Sequence, residues 1–170
     1  MRNKNNSRLK RQKQLQHIKF MTRFGKRLLV FGLLLLPSLA TALDFRSVAV
    51  PKAVLYDAPS SAAKKVYLLN QNYPVEVVVN LGEWLKVRDA QGGLNWLEAK
   101  QLSSKRSVLV TANKAEIRLA AEANSRLLAS VEKDVVLELL EQKPSSAWLK
   151  VKHRDGTLGF MLTSSTWGGD

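Results

Sequence analysis

The stretch EWLKVRDAQGGLNW, residues 83–96, is answered further along the chain by AWLKVKHRDGTLGF, residues 147–160. From Trp84/Trp148 to Leu97/Met161, six of the fourteen aligned positions are identical: Trp, Leu, Lys, Val, Gly and Leu. Arg88/Lys152, Trp96/Phe160 and Leu97/Met161 are close in kind. Self-similarity at a fixed period marks duplication of one structural unit. Within the stretch, WLKVR alternates, so Leu85 and Val87 share one face of a strand while Trp84, Lys86 and Arg88 share the other. The same alternation puts Leu149 and Val151 inside, and Trp148, Lys150 and Lys152 outside.

The likeness extends upstream. Ala53 pairs with Ala115, Leu55 with Ile117, Val75 with Leu137 and Val77 with Leu139, at an offset two residues shorter. The offset grows where NLGEW gives way to the longer EQKPSSAW, and a Pro/Ser loop is where a β unit tolerates insertion. VEVVVN and WLKVR read as short Val-rich strands bounded by Gly, Asn and Pro. Asp155-Gly156, and Gln91-Gly92-Gly93 in the first copy, are hairpin signals because glycine accepts positive φ without steric cost. The Ala, Glu and Leu content from Ala115 onward favours helix locally. The repeat overrides that preference, since the aligned YDAPSSAAKK contains a proline and reads as a loop. Several short strands per copy joined by tight turns predict an all-β chain of two small tandem barrels.

These residues resemble the bacterial SH3b (Src-homology-3-like) domain, present twice. Copy one carries the resemblance on Ala53, Leu55, Tyr56, Pro59, Ser60, Val75, Val77, Trp84, Lys86, Val87, Gly92 and Trp96. Copy two carries it on Ala115, Ile117, Arg118, Leu137, Leu139, Trp148, Lys150, Val151, Gly156, Gly159 and Phe160. Asn95 stands where a glycine is usual, and copy two lacks the Pro-Ser pair. The expected domains are residues 43–103 and 104–170. SH3-type barrels bind extended peptides against an aromatic strip, and the bacterial versions are often linked to cell-wall peptides.

The remaining segment, residues 1–42, explains the net charge of +13. It holds ten of the 27 Lys and Arg and none of the 14 Asp and Glu, so the body has 17 basic against 14 acidic residues, or +3. Lys26-Arg27, the apolar run Leu28 to Leu36, and Ala40-Thr41-Ala42 form a secretory signal pattern, with Leu43 the expected mature start. An uncleaved signal anchor in the inner membrane is the alternative. The run is shorter than the roughly 20 residues of a membrane span and is followed by Pro37. Met21 offers a second start for a signal of ordinary length. The expected location is the periplasm, and signal plus two such domains resembles small periplasmic proteins of Gram-negative bacteria.

No cysteine is present, which removes disulfides, thiol catalysis and thiolate zinc sites. The body has one histidine, His153, aligned with Asp89 at a turn, and no metal-ligand spacing. The expectation is therefore a non-enzyme without cofactor or metal. Export and a body charge of +3 argue against nucleic acid, whose binding needs a strong electrostatic contribution. Two readings of the aromatics remain. Each Trp side chain lids its own barrel end or packs against the other copy, or a groove lined by Tyr56, Tyr73, Trp84 and Trp96, edged by Asp57 and Glu83, binds a ligand. Copy two offers Arg118, Trp148 and Phe160 at matching positions and has no tyrosine. Tyr67 reads as packing, and Trp167 as a pin for the tail. The expected role is non-catalytic recognition of cell-wall peptide or peptidoglycan. The alternative is an adaptor docking another envelope protein.

Overall fold

A computed structural model describes residues 43–142 and 146–169. The signal segment and most of the KPS loop lie outside the described residues. The first seven strands are β1 (Asp44–Val48), β2 (Lys52–Tyr56), β3 (Lys65–Asn70), β4 (Pro74–Asn80), β5 (Trp84–Arg88), β6 (Leu94–Glu98) and β7 (Leu102–Ser103). The next seven are β8 (Ser107–Val110), β9 (Lys114–Arg118), β10 (Leu127–Glu132), β11 (Val136–Gln142), β12 (Trp148–Lys152), β13 (Leu158–Leu162) and β14 (Thr166–Trp167). The described residues contain no α-helix, so the Ala/Glu-rich segment after Ala115 is strand and loop, as the repeat requires.

Each set forms one antiparallel sheet, and the orders are the same permutation: β3-β2-β6-β5-β4-β1-β7 and β10-β9-β13-β12-β11-β8-β14. The bends match as well. Register slips between Val77 and Val79 on β4, and between Leu139 and Glu141 on β11. An extra residue there kinks the strand and increases its twist. The half before the bulge pairs on both sides, with β1 and β5 in one repeat and β8 and β12 in the other. The sheet thereby curls around its own core. Two SH3-like barrels result.

Leu85, Val87, Leu149 and Val151, the residues that alternation picks out, are all buried, and neighbouring strands complete the cores. Leu55, Leu85, Val87 and Leu97 are fully buried in the first, and Ile117, Leu137, Val151 and Met161 in the second. Burying one such side chain contributes about 1.5–3 kcal/mol. The hairpin glycines take positive φ, 86° at Gly92 and 94° at Gly156. Asp155 does not, so the turn is not the two-residue form its sequence suggests. Instead, Gly156 N–H donates to His153 O at 3.0 Å and His153 N–H to Thr157 O at 2.8 Å. This is a turn closed by a glycine bulge, and Gly92 and Asp89 repeat it.

The barrels meet through β1, the start of β4, β8 and the tail. Ser107 Oγ donates to Asn72 O at 2.6 Å, which uses its only proton. The Ser47 hydroxyl, 2.6 Å away and buried, is therefore the donor to Ser107. Phe45 of β1 meets Trp167 of β14 edge to face, with centroids 5.1 Å apart. Arg106 lies over the other part of this contact, 5.4 Å from the Phe45 centroid, and donates to Gly168 O at 2.8 Å. Trp167 thus pins the tail, with its backbone opposite Leu109 of its own barrel and its ring on the other.

Candidate functional site

β2, β6 and β5 are neighbours in the first sheet, and their outward residues build the candidate surface. Tyr56 lies opposite Trp96, Trp96 opposite Lys86, and Trp84 opposite Glu98. Side chains two apart on a strand share a face, so Trp84 and Lys86, and Trp96 and Glu98, stand on one side. The Tyr56 and Trp84 rings meet edge to face, with centroids 5.4 Å apart and planes at 84°. This arrangement sets the positive edge of one ring against the negative face of another. Lys86 Nζ is 5.8 Å from the Trp96 centroid, within cation–π reach. Tyr56 is 7% exposed, whereas both tryptophans are half-buried and open to solvent on one side.

Glu98 completes the face with a negative charge. Its carboxylate is ion-paired to Lys100 at 2.9 Å and accepts from Gln101 at 3.2 Å. These two bonds, Lys100 first, hold its pKa below the usual carboxylate value. The surface therefore offers flat apolar rings between a cation and an anion. Such a face suits a ligand with apolar segments and both charge types, as a peptide has. Lys86 could have been found from its alternation with Trp84. Glu98 could have been found in the same way, from its alternation with Trp96.

The other expected residues lie elsewhere or do other work. Tyr73 precedes β4, and its hydroxyl donates to Gln91 Oε1 at 3.2 Å and accepts from Ala90 N–H at 3.4 Å. That is the β5–β6 turn, about 13 Å of strand from Trp84, so Tyr73 is not part of the ring cluster. Burial raises its pKa. Asp57 accepts the Lys64 N–H at 3.1 Å and closes the β2–β3 loop next to Tyr56. Glu83 is exposed beside Trp84, and its backbone oxygen accepts from Ala99.

Copy two keeps the positions and loses the cluster. Arg118 lies opposite Phe160 as Tyr56 does opposite Trp96. Its guanidinium donates to Ser125 O at 2.6 Å and pairs with Glu116. Trp148 is half-buried, and no described aromatic ring stacks on it. His153 donates through Nδ1 to Asp155 at 3.0 Å. The Thr157 backbone N–H and then His153 hold the Asp155 carboxyl down at about 2. No group of three metal-binding side chains occurs among the described residues.

Tyr67 packs against the first core, as its sequence reading has it, and its hydroxyl also joins a polar group at the β5–β6 turn. Its hydroxyl donates to Asp89 Oδ2 and accepts from Asn95 Nδ2, the latter at 3.1 Å. Asp89, 5% exposed, also accepts the backbone N–H groups of Gln91 and Gly93, at 2.9 and 2.8 Å. Burial, then the bond and charge of Asp89, push the Tyr67 phenol well above its ordinary value. Register makes Ala129 the counterpart of Tyr67, since Ile117 faces Ala129 as Leu55 faces Tyr67. The matching trio in copy two is Ala129, His153 and Gly159, so the Asn95 departure comes with its own hydrogen-bonding partners.

Comparison with known proteins follows the same outline. The sequence profile described as bacterial SH3 domain matches twice, over residues 49–104 and 111–168. No curated protein matches the chain significantly. Among solved structures, NlpC2 and NlpC1 from Trichomonas vaginalis are similar at 13% identity and a TM-score of 0.35. The alignments cover 74% and 76% of this chain, and 48% and 47% of theirs. An NlpC/P60 family protein from Bacillus cereus ATCC 10987 matches at 19% identity and TM-score 0.33, over 72% of this chain and 55% of that one. The chain thus spans about half the length of these proteins. With both repeats matched, the chain belongs to the bacterial SH3 domain family.

Proposed function

We propose that the protein is a non-catalytic binding or scaffold protein of the periplasm, recognising cell-wall peptide or peptidoglycan through the outer face of its first barrel. The observation that carries this reading is the pair of half-buried tryptophans, Trp84 and Trp96, with Trp84 set edge to face on the buried Tyr56 ring and both framed by Lys86 and Glu98. A tryptophan that only lidded its barrel would need no second ring. Copy two keeps a Trp at the same place and the same core beneath it without that face. Binding therefore rests on repeat one, and repeat two acts as its scaffold. Membership of the bacterial SH3 family supports a peptide ligand, and the basic leader with its Ala40-Thr41-Ala42 site supports export.

Co-sedimentation of the purified protein with isolated cell-wall sacculi tests the reading. Retention in the pellet is expected, and recovery entirely in the supernatant would refute it. Turnover of any cell-wall substrate would refute the non-catalytic part. Export is checked by N-terminal sequencing of the mature protein, with Leu43 expected first. The adaptor alternative draws on β3, an outermost strand whose Val66 and Leu68 are 45% and 56% exposed. An exposed strand edge can pair with a partner's strand. Retention of an envelope protein by immobilised protein that ignores sacculi would favour it.

A further inference from the structure

A second candidate site lies apart from the aromatic face, in the cleft between the two barrels. Its volume is about 610 Å³, and both repeats and the linker line it. Repeat one contributes neutral Ser47, Gln71 and Asn72. The linker contributes Lys105 and Arg106, the end of β12 contributes Lys152, and the turn after it contributes His153 and Arg154. Asp134 and Glu138 are the acidic residues of the lining. Four Lys and Arg against two acids leave +2, whereas the whole body carries only +3. Most of the body's excess charge is concentrated on this one concavity.

The duplication provides an internal control. The turn entry that reads Arg88-Asp89-Ala90 in repeat one reads Lys152-His153-Arg154 in repeat two. The first carries +1 − 1 = 0, and the second +1 + 1 = +2 with histidine neutral. In repeat one the middle residue is buried and serves the turn through Tyr67, Gln91 and Gly93. In repeat two the flanking cations are exposed, and among the described residues their side chains make no ion pair or hydrogen bond. Lys105 is likewise exposed without such a partner. Arg106, by contrast, is held at the Phe45 ring and Gly168 O, which fixes one charge in the cleft lining. With four cations against two acids, the concave surface carries a net positive charge, and such a concavity raises the local concentration of anions.

We infer that the inter-barrel cleft is a binding site for a ligand bearing several oxyanions, carboxylates or phosphates, held by Lys105, Lys152 and Arg154. Arginine's planar fork receives either group through two bonds, while lysine adds a mobile point charge. The site is independent of the aromatic face and remains if that reading fails.

The test is a titration of the full chain, followed amide by amide in NMR spectra at low ionic strength. Tripolyphosphate serves as the phosphate probe and citrate as the carboxylate probe. Following individual amides keeps the cations of residues 1–42 out of the measurement. Saturable shifts are expected on both walls, at Gln71–Asn72 and at Lys152–Arg154, with the tighter probe naming the class of anion. Lys152→Gln/Arg154→Gln should weaken the cleft affinity about five-fold, since each exposed charge contributes modestly. Lys64→Gln/Lys65→Gln, in the β2–β3 loop region, should leave it unchanged. All four side chains are exposed, and unchanged spectra before titration confirm that each variant folds. Unmoved cleft amides with both probes, or equal weakening by the two pairs of substitutions, would overturn the inference.

Discussion

Tyr67→Phe isolates one hydroxyl whose surroundings fix both the size and the pH dependence of its effect. The substitution removes the proton donated to buried Asp89 and the oxygen that accepts from Asn95. It leaves ring packing and the two backbone bonds to Asp89 in place. A hydrogen bond to a charged group contributes about 1.5–3 kcal/mol net. Tyr67 is only half-buried, which places the expected loss near the lower end, about 2 kcal/mol. Its phenol is raised from 10.0, first by burial and then by Asp89, so folding favours the protonated form. That stabilisation is complete below pH 10 and is lost as pH rises above it, by up to about 1.4 kcal/mol per pH unit. The advantage of wild type over Tyr67→Phe should therefore hold from pH 7 to pH 10 and shrink beyond. Tyr73 is also raised and is present in both proteins, so it cancels in the difference. Urea unfolding followed by tryptophan fluorescence across pH 7–11 measures both. A loss under about 0.5 kcal/mol at pH 7, or a gap that does not narrow above pH 10, would refute the reasoning.

Gly168→Ala should loosen the contact between barrels. Gly168 has φ of 93°, and an added Cβ would lie 3.1 Å from Ser107 O and 3.2 Å from the Pro74 Cβ; a destabilisation of about 1–2 kcal/mol is expected in urea melts. Gly159→Asn places the repeat-one residue in repeat two, where a Cβ would overlap the Arg118 carbonyl oxygen and lie 2.7 Å from Ile117 Cγ2. Without a tyrosine to receive the amide, it should cost more than about 2 kcal/mol, and a wild-type melt would contradict this. Asp155 should titrate at about 2 in carboxyl-carbon NMR spectra, and His153→Ala should move it up toward 3.8. Because the folded value is depressed, its contribution to the turn is present above pH 3.8 and fades as pH falls toward about 2.

Much of the fold is legible because it is written in local alternation. Leu85 and Val87, and Leu149 and Val151, are inward in the sequence pattern and buried in the structure. Duplication then resolved what propensity misjudged, the helix-prone composition after Ala115. The contact between barrels was not legible. Phe45, Arg106 and Trp167 lie far apart in the chain and in no repeating pattern, and only folding brings them together. The site was half legible for the same reason. Trp84 and Trp96 share a hairpin and Tyr56 a neighbouring strand, whereas the position of Tyr73 depends on how β4 runs against the β5–β6 turn. Asn95, a departure by family pattern alone, finds its explanation across the barrel at Tyr67.

The placement of binding on repeat one is tested most directly by comparing two equivalent truncations for retention on sacculi. Trp84→Ala removes half of the Tyr56–Trp84 ring pair, while Trp148→Ala removes a ring with no aromatic partner at the corresponding strand position. Trp84→Ala also loses the ring contact with Tyr56 and should cost about 0.5–1.5 kcal/mol more stability, so urea melts showing both variants folded under the assay conditions serve as the control. Trp84→Ala is expected to leave the pellet and Trp148→Ala to remain in it. Equal retention of the two variants, or loss in Trp148→Ala alone, would contradict a binding face on the first barrel.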